Sequence, residues 1–271
     1  MVAVYPSSYP NTIYNYQALA PYANFINMMA YPEHNSSTWP GPTAGYPWVS
    51  YLLQQALSQG VNPSQIILGL APYGHEWTVT NSQISGQGAV SYRQIQSLIQ
   101  QNNIQPMWDS SEKEMVFTTG SVAQAPSGTL STQDTAHSNQ VANLQNLLNL
   151  VLLEYAIKNN QSPRPWLWAN GYFNSATQNA LEAFQQDFSV NPTTSGVYGP
   201  NTAKILQQTL NQWNIGQNIY WTESSRSIQD RVQLALNNHL GGVAAWRLPF
   251  ESNNYWSDIS QLTSIYHNGQ S

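Results

Sequence analysis

Four short apolar runs stand out along the chain, each handing over to polar or aromatic residues: MVAVY at 1–5, FINMMAY at 25–31, QIILGLAPYG at 65–74 and GGVAAWRL at 241–248. Near-continuous apolar runs of this length predict strands buried on both faces, the kind found in parallel sheets. Between the second and third, YPWVSYLLQQALSQG keeps Val49, Leu52, Leu53, Ala56 and Leu57 at helical spacing, and Gly60 sits where a C-terminal cap belongs. Strand, helix, strand in that order predicts parallel βαβ units.

The third and fourth runs are about 165 residues apart, far more than one crossover needs, so additional structure is expected between them. First comes AVSYRQIQSLIQQNNIQPMWDSSEKEMVFTTG, a helix and a hairpin-like pair of strands that reads as a small α+β excursion. Residues 121–138 then form a Ser/Thr/Gly/Pro-rich stretch with almost no apolar content, expected to be a linker. Beyond it, QVANLQNLLNLVLLEYAI presents Val141, Leu144, Leu148 and Val151 on one face. Two similar turn-and-helix units follow. NGYFNSATQNALEAFQ turns at Asn170-Gly171 and lines up Ala180, Leu181 and Phe184. SGVYGPNTAKILQQTL turns between Gly196 and Gly199, starts its helix at Pro200, and repeats the face with Ala203, Leu206 and Leu210. Residues 139–210 therefore read as a three-helix bundle, with Leu144, Leu148, Phe173, Leu181, Phe184 and Leu206 as core.

Composition narrows the functional classes. With 271 residues, 41% hydrophobic and 12% aromatic, the chain can bury a large core. Charged residues make up only 8%, and neutral Asn, Gln, Ser and Thr take the surface positions. A net charge of -5 with eight dispersed Lys and Arg gives no footprint for nucleic acid or anionic lipid. So few ionisable groups limit self-repulsion at low pH, which suits an acidic medium. The absence of cysteine removes disulfides and thiolate metal sites. The five histidines, His34, His75, His137, His239 and His267, lack metal-ligand spacing, so neither metal nor cofactor is expected. No apolar stretch is long enough to span a membrane. The first residues carry no export signal, and the chain is expected to be a mature form, a fragment or a recombinant piece.

Two resemblances carry the functional expectation. The segment 139–210, with NLQNLL, NGYFNSAT and SGVYGPNT, resembles the bacterial three-helix peptidoglycan-binding domain, whose pattern is LQ-x-x-L followed by two DG-x-[FV]-G-x-x-T turn-helix copies; Asn170 and Asn174 depart from its Asp and Gly. The portions 1–120 and 211–271, with MAYP, GLAPYGHEW and GGVAAWRL, resemble the C-terminal half of a glycoside hydrolase family 18 barrel, particularly its spore-cortex and cell-wall branch. The resemblance implies strands five to eight of a (β/α)8 TIM-type barrel, interrupted by the excursion and the bundle. That family's D-x-x-D-x-D-x-E run, whose last Glu protonates the glycosidic oxygen while the substrate's acetamide attacks, is not present in the sequence. The general acid is therefore expected outside this chain.

By the same resemblance, Tyr31 hydrogen-bonds the acetamide and Trp246, at the end of the last strand, forms a flat floor under a sugar ring. Tyr73 and Trp77 extend that chemistry. Pro32 stands where the family has Asp, and Glu33 is the carboxylate that could substitute. Trp39, Trp48, Trp108, Trp221 and Trp256 either line a groove or pack. In the bundle, ligand contacts are expected from Tyr172, Tyr198 and Asn201. The readings are a peptidoglycan- or chitin-binding protein, one half of a hydrolase completed by a separate N-terminal half, or a structural extracellular or spore-coat protein. Four strands with two open edges also predict a partner, either a second copy or that N-terminal half. An extracellular, cell-wall or spore location accompanies all three.

Overall fold

A computed structural model describes residues 1–5, 14–248, 250–251, 255–257 and 259–261. The four apolar runs form one parallel sheet in the order β1 (Val2–Val4), β2 (Ile26–Met28), β3 (Ile66–Leu70) and β9 (Gly242–Ala245). Register lines up Val4, Met28, Leu68 and Val243 in one row and Ala3, Asn27, Ile67 and Gly242 in the next. The first row is buried except for Val243, beneath helix α2 (Tyr46–Ser58) and helix α7 (Ser225–Asn237), which contribute Val49, Leu52, Leu53, Leu234 and Ala235. All four residues of the second row are partly or fully exposed. The expectation of strands buried on both faces is thus met on one face only, because side chains alternate and no second layer of the described residues covers the other. Among the described residues no sheet closes into a barrel.

The short helix α1 (Tyr16–Leu19) precedes β2, and helix α2 follows from its sequence. Pro47 occupies the first turn, where its missing N–H costs nothing, and Val49, Leu52, Leu53 and Ala56 make the buried stripe. Helix α3 (Tyr92–Gln101) begins with a reciprocal cap: Gln94 N–H donates to Ser91 Oγ at 3.3 Å and Ser91 N–H donates to Gln94 Oε1 at 3.0 Å.

The second sheet is antiparallel and five-stranded, in the order β5 (Gln83–Ser91), β4 (Tyr73–Thr80), β8 (Gly216–Thr222), β7 (Glu114–Val122) and β6 (Met107–Asp109). It is larger than the hairpin-like pair the sequence suggested. The run GLAPYGHEW divides at Ala71-Pro72, its first half in β3 and its second in β4. Residues 216–222 pair with β4 and β7 in the middle of this sheet.

One face of the antiparallel sheet packs on α3, where Ile95, Phe117 and Tyr220 meet and the two rings stack at 4.7 Å. The other face packs on α4 (Asn139–Lys158), which with α5 (Ser175–Asp187) and α6 (Pro200–Gln212) lies between β7 and β8 in the chain. Trp77, Val116, Ile219 and Trp221 share one apolar cluster with Leu144, Leu148, Leu181, Phe184 and Leu206. Helix α4 is therefore buried on nearly all sides. Residues 121–138 are tied down: Leu130 and Tyr198 exchange two backbone hydrogen bonds of 2.9 Å, and Ala123 and Leu130 are buried.

Two buried amides hold the turn-helix units in matching ways. Gln145 accepts from Gly171 N–H at 3.0 Å and donates to Tyr172 O at 2.9 Å and Thr177 Oγ1 at 2.8 Å. Gln185 accepts from Gly196 N–H at 2.9 Å and donates to Val197 O at 2.9 Å and Thr202 Oγ1 at 3.1 Å. Both turns need glycine, since Gly171 and Gly196 have φ of 76° and 71°.

Candidate functional site

Tyr31, Tyr73 and Trp246 emerge at the C-terminal ends of neighbouring parallel strands. The rings of Tyr31 and Tyr73 meet edge to face at 6.2 Å, and both are nearly fully buried. Tyr31 lies over Gly69; a Cβ there would come within 2.6 Å of the ring, so glycine in β3 makes room for it. Trp246 N–H donates to Leu70 O at 3.1 Å, which fixes the residue beside the end of β3, while its side chain is 58% exposed. Phe250, four residues on, returns to place its ring 6.3 Å from that of Tyr73. The exposed indole offers a stacking plane at the end of β9, and the two buried phenols offer hydroxyls at the ends of β2 and β3. Burial raises both phenol pKa values, with neighbouring Glu223 acting in the same direction, so both hydroxyls stay protonated as donors.

Near these rings, two of the chain's thirteen acidic residues pair with one arginine, and two more, Glu33 and Glu112, feel its charge. Arg231 of α7 is buried, its Nε 2.6 Å from Glu223 Oε1 and its Nη2 3.2 Å from Glu114 Oε1. Its remaining N–H groups donate to the carbonyls of Lys113 and Ser227, each at 3.1 Å, and to Ala44 O. Glu114 also accepts from Thr43 N–H at 2.8 Å and Ala44 N–H at 2.6 Å, and Glu223 from Ala71 N–H at 3.2 Å. Burial pushes both carboxyls upward while Arg231 pulls them down. Glu33 accepts from Gly45 N–H at 2.9 Å. A Cβ on Gly45 would lie 2.8 Å from Glu33 Oε2 and nearer still to Glu112 Oε2, so two carboxyls share one small space. Burial first, and the charge of Glu112 second, push the Glu33 carboxyl up to about 9. Burial and the charge of Asp109 push Glu112 up to about 7. At neutral pH Glu33 therefore carries a proton it can donate. Asp109 accepts from Ser111 and Glu112 N–H and shapes the turn into β7.

The other sequence candidates fall elsewhere. Trp77 is completely buried and its Nε1–H donates to Thr38 O at 2.9 Å, so it positions the loop after β2 and offers no stacking face. Tyr198 is likewise buried, its hydroxyl donating to Pro126 O at 2.7 Å, and is a packing residue. Tyr172 is half exposed with its ring edge-on to His137, and Asn201 is exposed with its amide donating to Asn191 O. Tyr172 lies in the turn before α5, and Asn201 lies in the first turn of α6. Trp221 is buried core, and Trp108 carries the Arg226 guanidinium over its ring at 4.2 Å. The sequence reading missed the Arg231–Glu114–Glu223 group. Its signal was present: charges spaced through apolar helix and strand in a chain that is only 8% charged.

The sequence matches the family of glycosyl hydrolases 18 over residues 1–251. This chain belongs to glycosyl hydrolase family 18. The uncharacterized glycosylase YvbX of Bacillus subtilis (strain 168) is 27% identical over 104 residues, 38% of this chain and 29% of that protein. Among solved structures, a chitinase from Chromobacterium violaceum superposes with a TM-score of 0.55 at 17% identity, over 97% of this chain and 54% of the chitinase. The Bacillus cereus spore cortex-lytic enzyme SleL gives 0.54 at 16% identity, over 96% of this chain and 40% of that enzyme. A family 18 chitinase from Cycas revoluta in complex with (GlcNAc)3 gives 0.51 at 15% identity. The family 18 chain thus spans about half or less of the length of these relatives. Among the described residues no helix is long and apolar enough to cross a membrane.

Proposed function

We propose that this family 18 chain binds a cell-wall glycan built on N-acetylglucosamine, of the chitin or peptidoglycan class, and supplies the second half of a glycosidase site. The observation that carries this reading is the convergence of Tyr31, Tyr73 and the exposed Trp246 at the C-terminal ends of adjacent parallel strands, where barrel enzymes hold substrate. Trp246 stacks under one sugar, and the Tyr31 hydroxyl, kept protonated by burial, donates to its acetamide. Protonated Glu33 orients the loop through Gly45 and takes part of the polar task that Pro32 cannot perform.

Hydrolysis in this reading requires a general acid from strands one to four, because the D-x-x-D-x-D-x-E run is not in this sequence. The open row Ala3, Asn27, Ile67 and Gly242 and the edges of β1 and β9 are where those strands, or a second copy, pair with this sheet. Tyr172 and Asn201, on the α4–α6 turns, hold the wall polymer more remotely. The setting is extracellular, at the cell wall or spore.

Titrating the purified chain with N-acetylglucosamine oligomers tests this by calorimetry and product analysis. The expected result is binding without product release, with Trp246→Ala weakening affinity about tenfold, the worth of one ring stack. Product release that vanishes in Glu33→Gln would overturn the inactive assignment and make Glu33 the acid. Absence of any binding would overturn the glycan reading.

A further inference from the structure

We propose that Trp168, on the loop between α4 and α5, and Trp39, on the loop after β2, form a second saccharide-stacking platform that extends the glycan path beyond the Tyr31–Trp246 site; this rests on the glycan reading above. The two indoles come from segments far apart in sequence and meet with ring centres 6.3 Å apart and planes tilted by 33°. Trp168 is 69% exposed, the most open of the large aromatic rings after Tyr22 among the described residues. A single exposed indole is ordinary on a protein surface. A pair held in place by buried machinery is different.

The holding is specific on both sides. Buried Asn149 of α4 accepts from Leu167 N–H at 2.8 Å and donates to Leu167 O at 2.9 Å, so the backbone is clamped in both directions. Trp166 turns inward and packs edge to face on Trp221 at 4.6 Å. Trp166 packs on Trp221 and Leu167 is buried, which leaves Trp168 as the open side chain of the three. On the other side, the Trp77 N–H to Thr38 O hydrogen bond and the close seating of Ser36 on Gly86 of β5 fix the loop that carries Trp39. Trp39 Nε1–H has no acceptor within the described chain, so a buried donor stays unpaid until an oxygen reaches it.

The surroundings select the occupant. The residues next to the two indoles in the chain, Asn35, Ser36 and Ser37 on one side and Asn170 on the other, carry neutral hydroxyl and amide side chains, suited to sugar hydroxyls. The Trp39 loop grows from the same strand end that carries Tyr31 and Glu33, so the platform continues that site. A neutral pyranose chain, with apolar C–H faces and polar edges, matches rings splayed at 33° with amides beside them.

Calorimetric titration of the whole chain with the N-acetylglucosamine hexamer and dimer decides the matter. The wild-type chain is expected to bind the hexamer more tightly than the dimer. Trp168→Ala should weaken hexamer binding about tenfold, leave the dimer and the melting temperature unchanged, and be rescued by Trp168→Tyr. Trp246→Ala should weaken both oligomers. Unchanged hexamer affinity in Trp168→Ala, with Trp246→Ala still impaired, would overturn the platform while leaving the first site intact. A concentration-dependent dimer abolished by Trp168→Ala, again without loss of hexamer affinity, would overturn it in favour of a second copy covering the ring. Binding of neither oligomer by wild type would overturn both assignments.

Discussion

The two sheets solve the problem of covering a strand face differently. The antiparallel sheet has helices on both sides, α3 on one and α4 on the other, and its core runs without interruption from Trp77 and Trp221 into Leu181 and Phe184. The parallel sheet has α2 and α7 on one side only, and its row of Ala3, Asn27, Ile67 and Gly242 stays open. Its strands are also short, three to five residues, against up to nine in the other sheet. Tyr31 and Trp246 follow strands of the open, less reinforced sheet, and Tyr73 opens β4 where the chain passes from one sheet to the other. A region that must admit a ligand and accept further strands cannot also be sealed, whereas the antiparallel sheet and its helices can act as the rigid support.

Arg231 joins the two regions, since it reaches Glu114 of the antiparallel sheet, Glu223 after β8, and the carbonyl of Ala44 ahead of α2. Replacing it with methionine should have the largest effect among the tests of this comparison. Two buried carboxylates would lose the cation that pairs with both, at about 3–5 kcal/mol, a large share of an ordinary domain's stability. Urea unfolding followed by tryptophan fluorescence should show a lower midpoint, and two separable transitions as the sheets uncouple. Lowering the pH below about 5 should restore part of the loss, because protonated carboxyls no longer need the guanidinium. A variant with an unchanged midpoint and a single transition would mean that apolar packing alone joins the sheets.

Within the reinforced region, Gln145→Ala and Gln185→Ala each strand a buried glycine N–H and a partly buried carbonyl. Each should cost about 1–3 kcal/mol. Because one apolar cluster links these helices to the antiparallel sheet, both variants should lower the melting of that whole region as one transition. Loss of helix signal from α4–α6 alone, with the sheet intact, would show that the bundle is an independent unit.

The sequence made the elements with strong periodicity legible: four apolar runs that became parallel strands, the α2 stripe, and the paired turn-helix units. It did not make β5 legible, because QISGQGAV carries two glycines and alternating neutral side chains, which suit an edge strand and resemble a loop. It also overstated burial of the parallel strands, since an apolar run looks the same whether a second layer covers it or not. Among the site candidates, Tyr31 and Trp246 each follow an apolar run that became a parallel strand, and Tyr73 opens β4 just after a third. Trp77 and Tyr198 were misread because an aromatic in a motif does not announce which way it points. Trp168 was invisible for the opposite reason: its direction is set by Asn149, nineteen residues earlier, and by no local pattern.

The smallest predicted effect concerns the open region alone and follows from Glu33. Its carboxyl sits at about 9 in the folded chain against an ordinary 4.5, raised by burial and then by Glu112. Below pH 4.5 both folded and unfolded chains hold that proton, so its favourable contribution is fully present. Between 4.5 and about 9 the unfolded chain releases the proton and the folded chain keeps it, so stability falls as pH rises. Glu112 adds the same sign up to about 7. His75 opposes them: burial and nearby His34 lower it to about 4, so stability gained from its neutral ring grows from there to 6.5. The carboxyls outnumber it, and maximal stability is expected on the acid side, near pH 4–5. Glu33→Gln keeps an acceptor for Gly45 N–H and removes the titration. Melting temperatures from pH 4 to 9 should decline less steeply in this variant than in wild type, with a difference on the order of 1 kcal/mol by pH 8 for a group that keeps some contact with solvent. Parallel curves for the two proteins, or a wild-type maximum near pH 8, would place Glu33 in contact with water as an ordinary carboxylate and remove the protonated donor from the site.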